Sequence, residues 1–153
     1  MASYKGRFRP KNPSKYKGDP TNIIYRSFWE FKVFRFCDSH PDIIWWASEE
    51  INIRYKSPLD NKIHHRYFPD ILLKKKVGED AYEILLIEIK PKNQTKQPDP
   101  KNKNKTPTGR VSRRYLKEVK TFAINKAKWD AAERYCKERG WRFVIMTEDD
   151  IKP

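Results

Sequence analysis

One stretch constrains this chain more than any other: Tyr82-Glu83-Ile84-Leu85-Leu86-Ile87-Glu88-Ile89-Lys90. The 153 residues have a mean hydropathy of −0.97, so so dense an apolar run stands out. It reads as a strand long enough to be central in a sheet. With helical patterns before and after it, this strand points to an α/β fold. No apolar run approaches the ~18–20 residues that would span a bilayer, which excludes an integral membrane protein. Aromatic residues make up 14% of the chain, enough to build a compact core, and the length suits one domain.

The flanking sequence supplies the rest of the pattern. Ser27-Phe28-Trp29-Glu30 has the Ser-x-x-Glu form of a helix capping box, and apolar residues at three- and four-residue spacing follow it. This predicts a helix from about Tyr25 to Asp38, ended before Pro41. Strand patterning begins at Ile43; Ile51, Ile53 and Tyr55 alternate with polar residues as a half-buried strand. A turn at Ser57-Pro58-Leu59-Asp60-Asn61 leads to a second strand over about Ile63–Leu73, and Val77-Gly78-Glu79-Asp80 turns into the apolar strand. Helical spacing returns at Tyr115, Val119 and Phe122. Asn125 then reads as the N-cap of a further helix running to Arg139, closed by Gly140, before a last strand over Trp141–Met146. The expected core is αβββαβ, a mixed central sheet flanked by helices.

Charge is concentrated in two places. Residues 1–20 carry six basic side chains against Asp19, and residues 91–120 carry ten against Asp99 and Glu118. Nearly all of the net charge of +14 lies there. The first stretch reads as a basic, irregular N-terminal arm, leaving residues 21–153 as the domain. The second contains a Pro- and Lys-rich loop over 91–110. Such charge suits a polyanion; the competing reading is a pair of solvated, solubilising tails. The candidate phosphate contacts are Lys92, Lys101, Lys103, Lys105, Arg110, Arg113, Arg114, Lys117 and Lys120. No amphipathic helix with a strongly apolar face accompanies either stretch, so a membrane surface is not the expected partner. Cys37 and Cys136 form neither a metal knuckle nor a disulfide framework and fit a reducing, cytosolic setting.

The candidate site is Asp70, Glu88 and Lys90. Residues two apart on a strand share a face, so Glu88 and Lys90 stand side by side at the end of the apolar strand. Two readings fit this spacing. One is a solvent-edge ion pair with Asp70 as a turn residue. The other is metal-assisted phosphodiester hydrolysis, with Asp70, Glu88 and the Ile89 carbonyl holding Mg²⁺, for which Mn²⁺ can substitute. In that reading Lys90 orients water or offsets charge in the transition state. His64-His65 make a poor metal site because adjacent strand residues face opposite ways. Of Trp45-Trp46, Trp45 reads as core and Trp46 as surface, where an exposed ring could stack on a base.

Pro69-Asp70, seventeen intervening residues, then Glu88-Ile89-Lys90 resembles the PD-(D/E)XK nuclease signature, and the element order resembles that superfamily's core. Further stretches resemble one branch, the head completion nucleases of T-even-type bacteriophages. They are Tyr4 to Pro13, Tyr25 to Glu30, Arg66 to Asp70, Ile87 to Lys92, Asn125 to Trp129 and Met146 to Asp150. More distantly, the chain is similar to TnsA-type transposon cleavage subunits. The resemblance implies a restriction-endonuclease-like fold and a Mg²⁺-dependent DNA endonuclease with little sequence preference. It further implies action on packaged or protruding DNA in phage head completion, with portal, neck or capsid proteins as partners. The implied location is the host cytoplasm, with association to the virion. Related nucleases also place a helix glutamate beside the metal pair. Glu30 matches that position, in competition with its capping role. A non-enzymatic capsid or neck protein that binds DNA ends is the alternative; the intact Asp, Glu and Lys set argues against it. A basic RNA-binding module lacks the expected aromatic strand pair or GXXG loop.

Overall fold

The computed structural model describes residues 5–62, 65–104 and 106–151. In chain order the elements are β1 (Gly6–Phe8), β2 (Ile23–Tyr25), α1 (Phe28–Ser39), β3 (Ile43–Ser48), β4 (Ile53–Tyr55), β5 (His65–Tyr67), β6 (Ile71–Gly78), β7 (Ala81–Ile89), α2 (Arg113–Arg139) and β8 (Arg142–Met146). The central sheet has the order β3-β6-β7-β8, with β7 and β8 parallel and the other neighbours antiparallel. The parallel pair requires a crossover, which α2 provides. The αβββαβ core is therefore α1, β3, β6, β7, α2 and β8.

β7 is central because its successive side chains feed two separate layers. Leu85 and Ile87 join Ile71, Leu73 and Trp46 beneath α1, where Val33, Phe34 and Cys37 close the layer. Leu86 joins Leu72 on the opposite face, against Trp129, Ala132 and Cys136 of α2. Covering both faces removes the solvated side that would have imposed alternation, so consecutive apolar residues are stable here.

Both helices are closed by local chemistry. Ser27 Oγ accepts from the Glu30 N–H at 3.1 Å, while Glu30 Oε2 accepts from the Arg26 N–H at 2.6 Å. At the start of α2, Ser112 Oγ accepts from the Tyr115 N–H. α2 ends at Gly140, whose φ of 72° needs the left-handed region that glycine enters without a Cβ penalty.

Several expectations are corrected. Ile53–Tyr55 is not a strand of the main sheet; it pairs with β5 in a separate two-stranded ribbon, and Ile43–Ser48 is the first core strand. The expected strand over Ile63–Leu73 is broken at Phe68-Pro69-Asp70, between β5 and β6, because Pro69 cannot donate to a ladder. No helix starts at Asn125. That residue is buried in the middle of a continuous α2, and its side chain packs instead of capping.

Residues 5–20 pack on the core. Phe8 is 5% exposed and meets Phe34 and Trp46 edge-on, and Tyr16 is buried against Trp46. The Asp38 carboxylate accepts from the backbone N–H groups of Lys11 and Asn12 at 2.8 and 2.9 Å. Basic side chains are carried outward on a backbone that is pinned down. The 91–110 segment likewise contains two short 3₁₀ turns, Lys92–Gln94 and Pro100–Asn102. The Ser112 N–H donates to the Lys103 carbonyl at 2.7 Å.

Candidate active site

The β6–β7 register assembles the site. Ile71 pairs with Ile87, so the next step outward sets Asp70 across from Glu88. Asp70 Oδ2 accepts from the Ile89 N–H at 2.6 Å, which fastens the carboxylate to the end of β7. From the other side, the Asp70 carbonyl accepts from the N–H of Glu49. Glu49 itself has a φ of 56°, a left-handed conformation costly for a residue with a Cβ.

Glu88 is 6% exposed and held at both oxygens. The Tyr67 hydroxyl donates to Oε2 at 2.6 Å, and the Lys90 ammonium lies 3.7 Å from Oε1. Tyr67 comes from the β4–β5 ribbon, which packs on α2. The ribbon's contribution to the site is therefore the phenol that fixes Glu88.

Asp70 and Glu88 line one cleft of about 310 Å³ together with Glu30, Glu49, Arg26, Trp29, Ile89, Lys90 and Gln94. Burial raises the Asp70 carboxyl to about 8, and the charge of Glu88 adds to the effect. Burial also raises Glu88, against the lowering pull of the Tyr67 hydrogen bond, Lys90 and Lys128. Glu30 is raised by burial as well. At the mouth, the Arg26 guanidinium pairs with the Glu49 carboxylate. Tyr67 is pushed up by burial and by Glu88, so its hydroxyl remains a donor.

This donor set suits a hard divalent cation. Two carboxylates and a backbone carbonyl provide oxygen ligands, and two buried acids side by side carry charge that a cation would neutralise. Asp70, Glu88 and Ile89 are all at the cleft. Glu30 borders it too, but one of its oxygens already caps α1. Among the described residues, no three His, Cys, Asp or Glu side chains close into a ligand cluster.

The other sequence candidates lie outside the cleft. Lys92 is occupied: its ammonium pairs with Asp149 at 2.9 Å and its N–H donates to Glu148. Lys101, Lys103, Arg110, Arg113, Lys117 and Lys120 are exposed, and Arg114 pairs with Glu118 along α2. Lys105 and His64 lie outside the described residues. His65 bonds Asp60, away from the cleft. The expected assignment of the tryptophans is reversed: Trp46 is fully buried among Phe8, Tyr16 and Phe34, whereas Trp45 is partly exposed beneath the Lys17 ammonium. The two thiols are buried, Cys37 pushed up to about 12 and Cys136 to about 11, both mainly by burial.

Sequence reasoning missed Tyr67, Glu49, Arg26 and Lys128. Tyr67 stands three residues before Asp70, and alternation along the ribbon was the available signal. The others become neighbours of the acids only through tertiary folding.

A four-stranded mixed sheet between two helices, with Asp70 facing Glu88-Ile89-Lys90 in a cleft, defines a restriction-endonuclease-like nuclease core. Residues 40–148 match the TnsA-like endonuclease N-terminal family, and the chain belongs to it. It is also similar to the head completion nuclease of Enterobacteria phage T4, at 41% identity over 150 residues, which covers 98% of this chain and 95% of the relative. Among the described residues, no helix is long and apolar enough to cross a membrane.

Proposed function

We propose that this protein is a DNA endonuclease that hydrolyses phosphodiester bonds with Mg²⁺, or Mn²⁺ in its place, and with little sequence preference. The observation that carries the reading is the cleft in which Asp70, Glu88 and Lys90 converge. Asp70, Glu88 and the Ile89 carbonyl would hold the cation. When bound, it supplies a Lewis acid for a phosphoryl oxygen and lowers the pKa of a coordinated water. Lys90, beside Glu88 and partly exposed, presents its ammonium to the phosphate and stabilises the charge that builds on the phosphoryl oxygens. Tyr67 holds Glu88 in one orientation, and the Ile89 N–H does the same for Asp70. Neither carboxylate then has to reorganise when substrate arrives.

The relative's name supports a role in phage head completion. We extend that role to packaged or protruding DNA, with portal, neck or capsid proteins as partners. The basic surface of the 91–110 segment and the start of α2 would hold the duplex through its phosphates. The test is nicking of supercoiled plasmid by purified protein, with Mg²⁺ and with EDTA, for wild type and for Asp70→Ala, Glu88→Ala and Lys90→Ala. Cleavage is expected only for wild type with metal. Wild-type cleavage in EDTA, or full activity in any of the three variants, refutes the assignment. Binding without cleavage would favour the assembly-protein alternative.

A further inference from the structure

We propose that Lys128 is a DNA phosphate ligand of this site, a second cation set on the α2 side of Glu88. The inference rests on the nuclease reading above and names a contact that the motif does not contain. Lys128 is half-buried, and its ammonium lies 5.7 Å from the centroid of the Tyr67 ring and 5.8 Å from that of Tyr55. The two rings come from opposite strands of the ribbon, and the Tyr67 hydroxyl is the group bonded to Glu88. The ammonium is thus held by aromatic faces on the Tyr67 side of Glu88.

What it lacks is an anion of its own. Among the described residues no carboxylate comes within 4.0 Å of it. The helix offers none, since the positions three and four away are Ile124, Asn125, Ala131 and Ala132. Lys126, two residues earlier, does have such a partner in Asp130 at 2.9 Å. The charges that bear on Lys128 are Glu88, already shared between Tyr67 and Lys90, and Lys90 itself, which repels it. A half-buried cation without a partner is costly, and an arriving phosphate would supply what is missing. Its neighbour Trp129 is buried and anchors the helix.

The experiment compares wild type, Lys128→Met and Lys128→Arg on a fluorescein-labelled linear duplex. Binding is read by anisotropy over a salt series in metal-free buffer, and cleavage by single turnover with Mg²⁺ over a DNA series. Met keeps the aliphatic stem against the rings and removes the charge; should it lower the melting temperature, Lys128→Gln repeats the measurement. For Lys128→Met the half-saturating DNA concentration should rise roughly tenfold, the loss of one charge-assisted hydrogen bond. The slope of log K against log salt should flatten by about 0.9. Lys128→Arg should restore both. Unchanged affinity and slope overturn the proposal. So does a loss confined to the rate at saturating DNA, which would make Lys128 a tuner of Glu88 and no ligand. If wild type cleaves no DNA, the nuclease reading fails, while the salt slope still decides the fate of Lys128.

Discussion

Replacing Asp70 with Asn should abolish cleavage and, without metal, make the protein more stable at about pH 8. Asp70 is buried, and together with Glu88 it is driven to hold a proton to about 8, against an ordinary 3.8. A carboxyl raised in this way binds its proton more tightly folded than unfolded. Its contribution is therefore undiminished below about pH 4 and is lost as pH rises through the folded value. At pH 7 the unfolded chain has already released the proton over about three pH units, and 1.36 kcal/mol per unit sets a ceiling of ~4 kcal/mol. Water in the cleft screens part of this, leaving ~2 kcal/mol. Asn is isosteric and its amide oxygen still accepts from the Ile89 N–H, so no bond need be lost. For a domain of this length ~2 kcal/mol corresponds to a rise of roughly 4–8 °C in Tm. The assay is thermal unfolding by circular dichroism from about pH 4 to about pH 8, with EDTA and with Mg²⁺. The two proteins should converge at the acid end and separate toward the alkaline end. Mg²⁺ should raise the Tm of wild type and leave Asp70→Asn nearly unmoved. An Asn variant that melts at or below wild type near pH 8 in EDTA would refute the reasoning.

Glu30→Ala should cost ~1 kcal/mol of stability, since the Arg26 N–H loses its acceptor. Glu30→Gln should keep the cap yet reduce cleavage roughly tenfold or more, because the charge bordering Asp70 is gone; melting curves beside the nicking assay separate the two roles. Neutralising Lys101 and Lys103 should leave Tm unchanged and flatten the salt dependence of DNA binding by about 0.9 per lost contact, measured by anisotropy. Phe8→Ala should cost ~3–5 kcal/mol in urea unfolding, since the ring is enclosed by Phe34 and Trp46; a loss below ~1 kcal/mol would return the first twenty residues to the status of an arm.

Much of the fold was legible because β7 and the Ser27–Glu30 box speak through local physics. Alternation put Glu88 beside Lys90, and Pro69-Asp70 marked the partner strand. The first core strand was obscured because Ile43–Ser48 is largely buried, without the alternation that drew the eye to Ile53–Tyr55. A ribbon half covered by α2 alternates as convincingly as an edge strand does. Asn125 misled because a helix N-cap and a buried mid-helix amide share a residue type, and only packing distinguishes them. Phe8 and Tyr16 were hidden by the basic residues around them. Tyr67 and Lys128 lie 21 and 40 positions from Glu88, and no pattern along the chain could join them.

The continuity of α2 has a mechanical consequence. Its 27 residues form a rod of ~40 Å, with Arg113, Lys117 and Lys120 toward one end and Lys128 near the acids. Lys120 and Lys128 are separated by a fixed rise of ~12 Å and a fixed rotation, with no hinge between them. Two helices meeting at Asn125 would have let these groups settle independently. An unbroken rod would make them a gauge: under the proposed function, a polymer gripped at the basic end would be offered to the cleft at a set distance. One residue inserted between Lys120 and Lys128 would turn the two ends by roughly 100° relative to each other and spoil that alignment with every side chain still present.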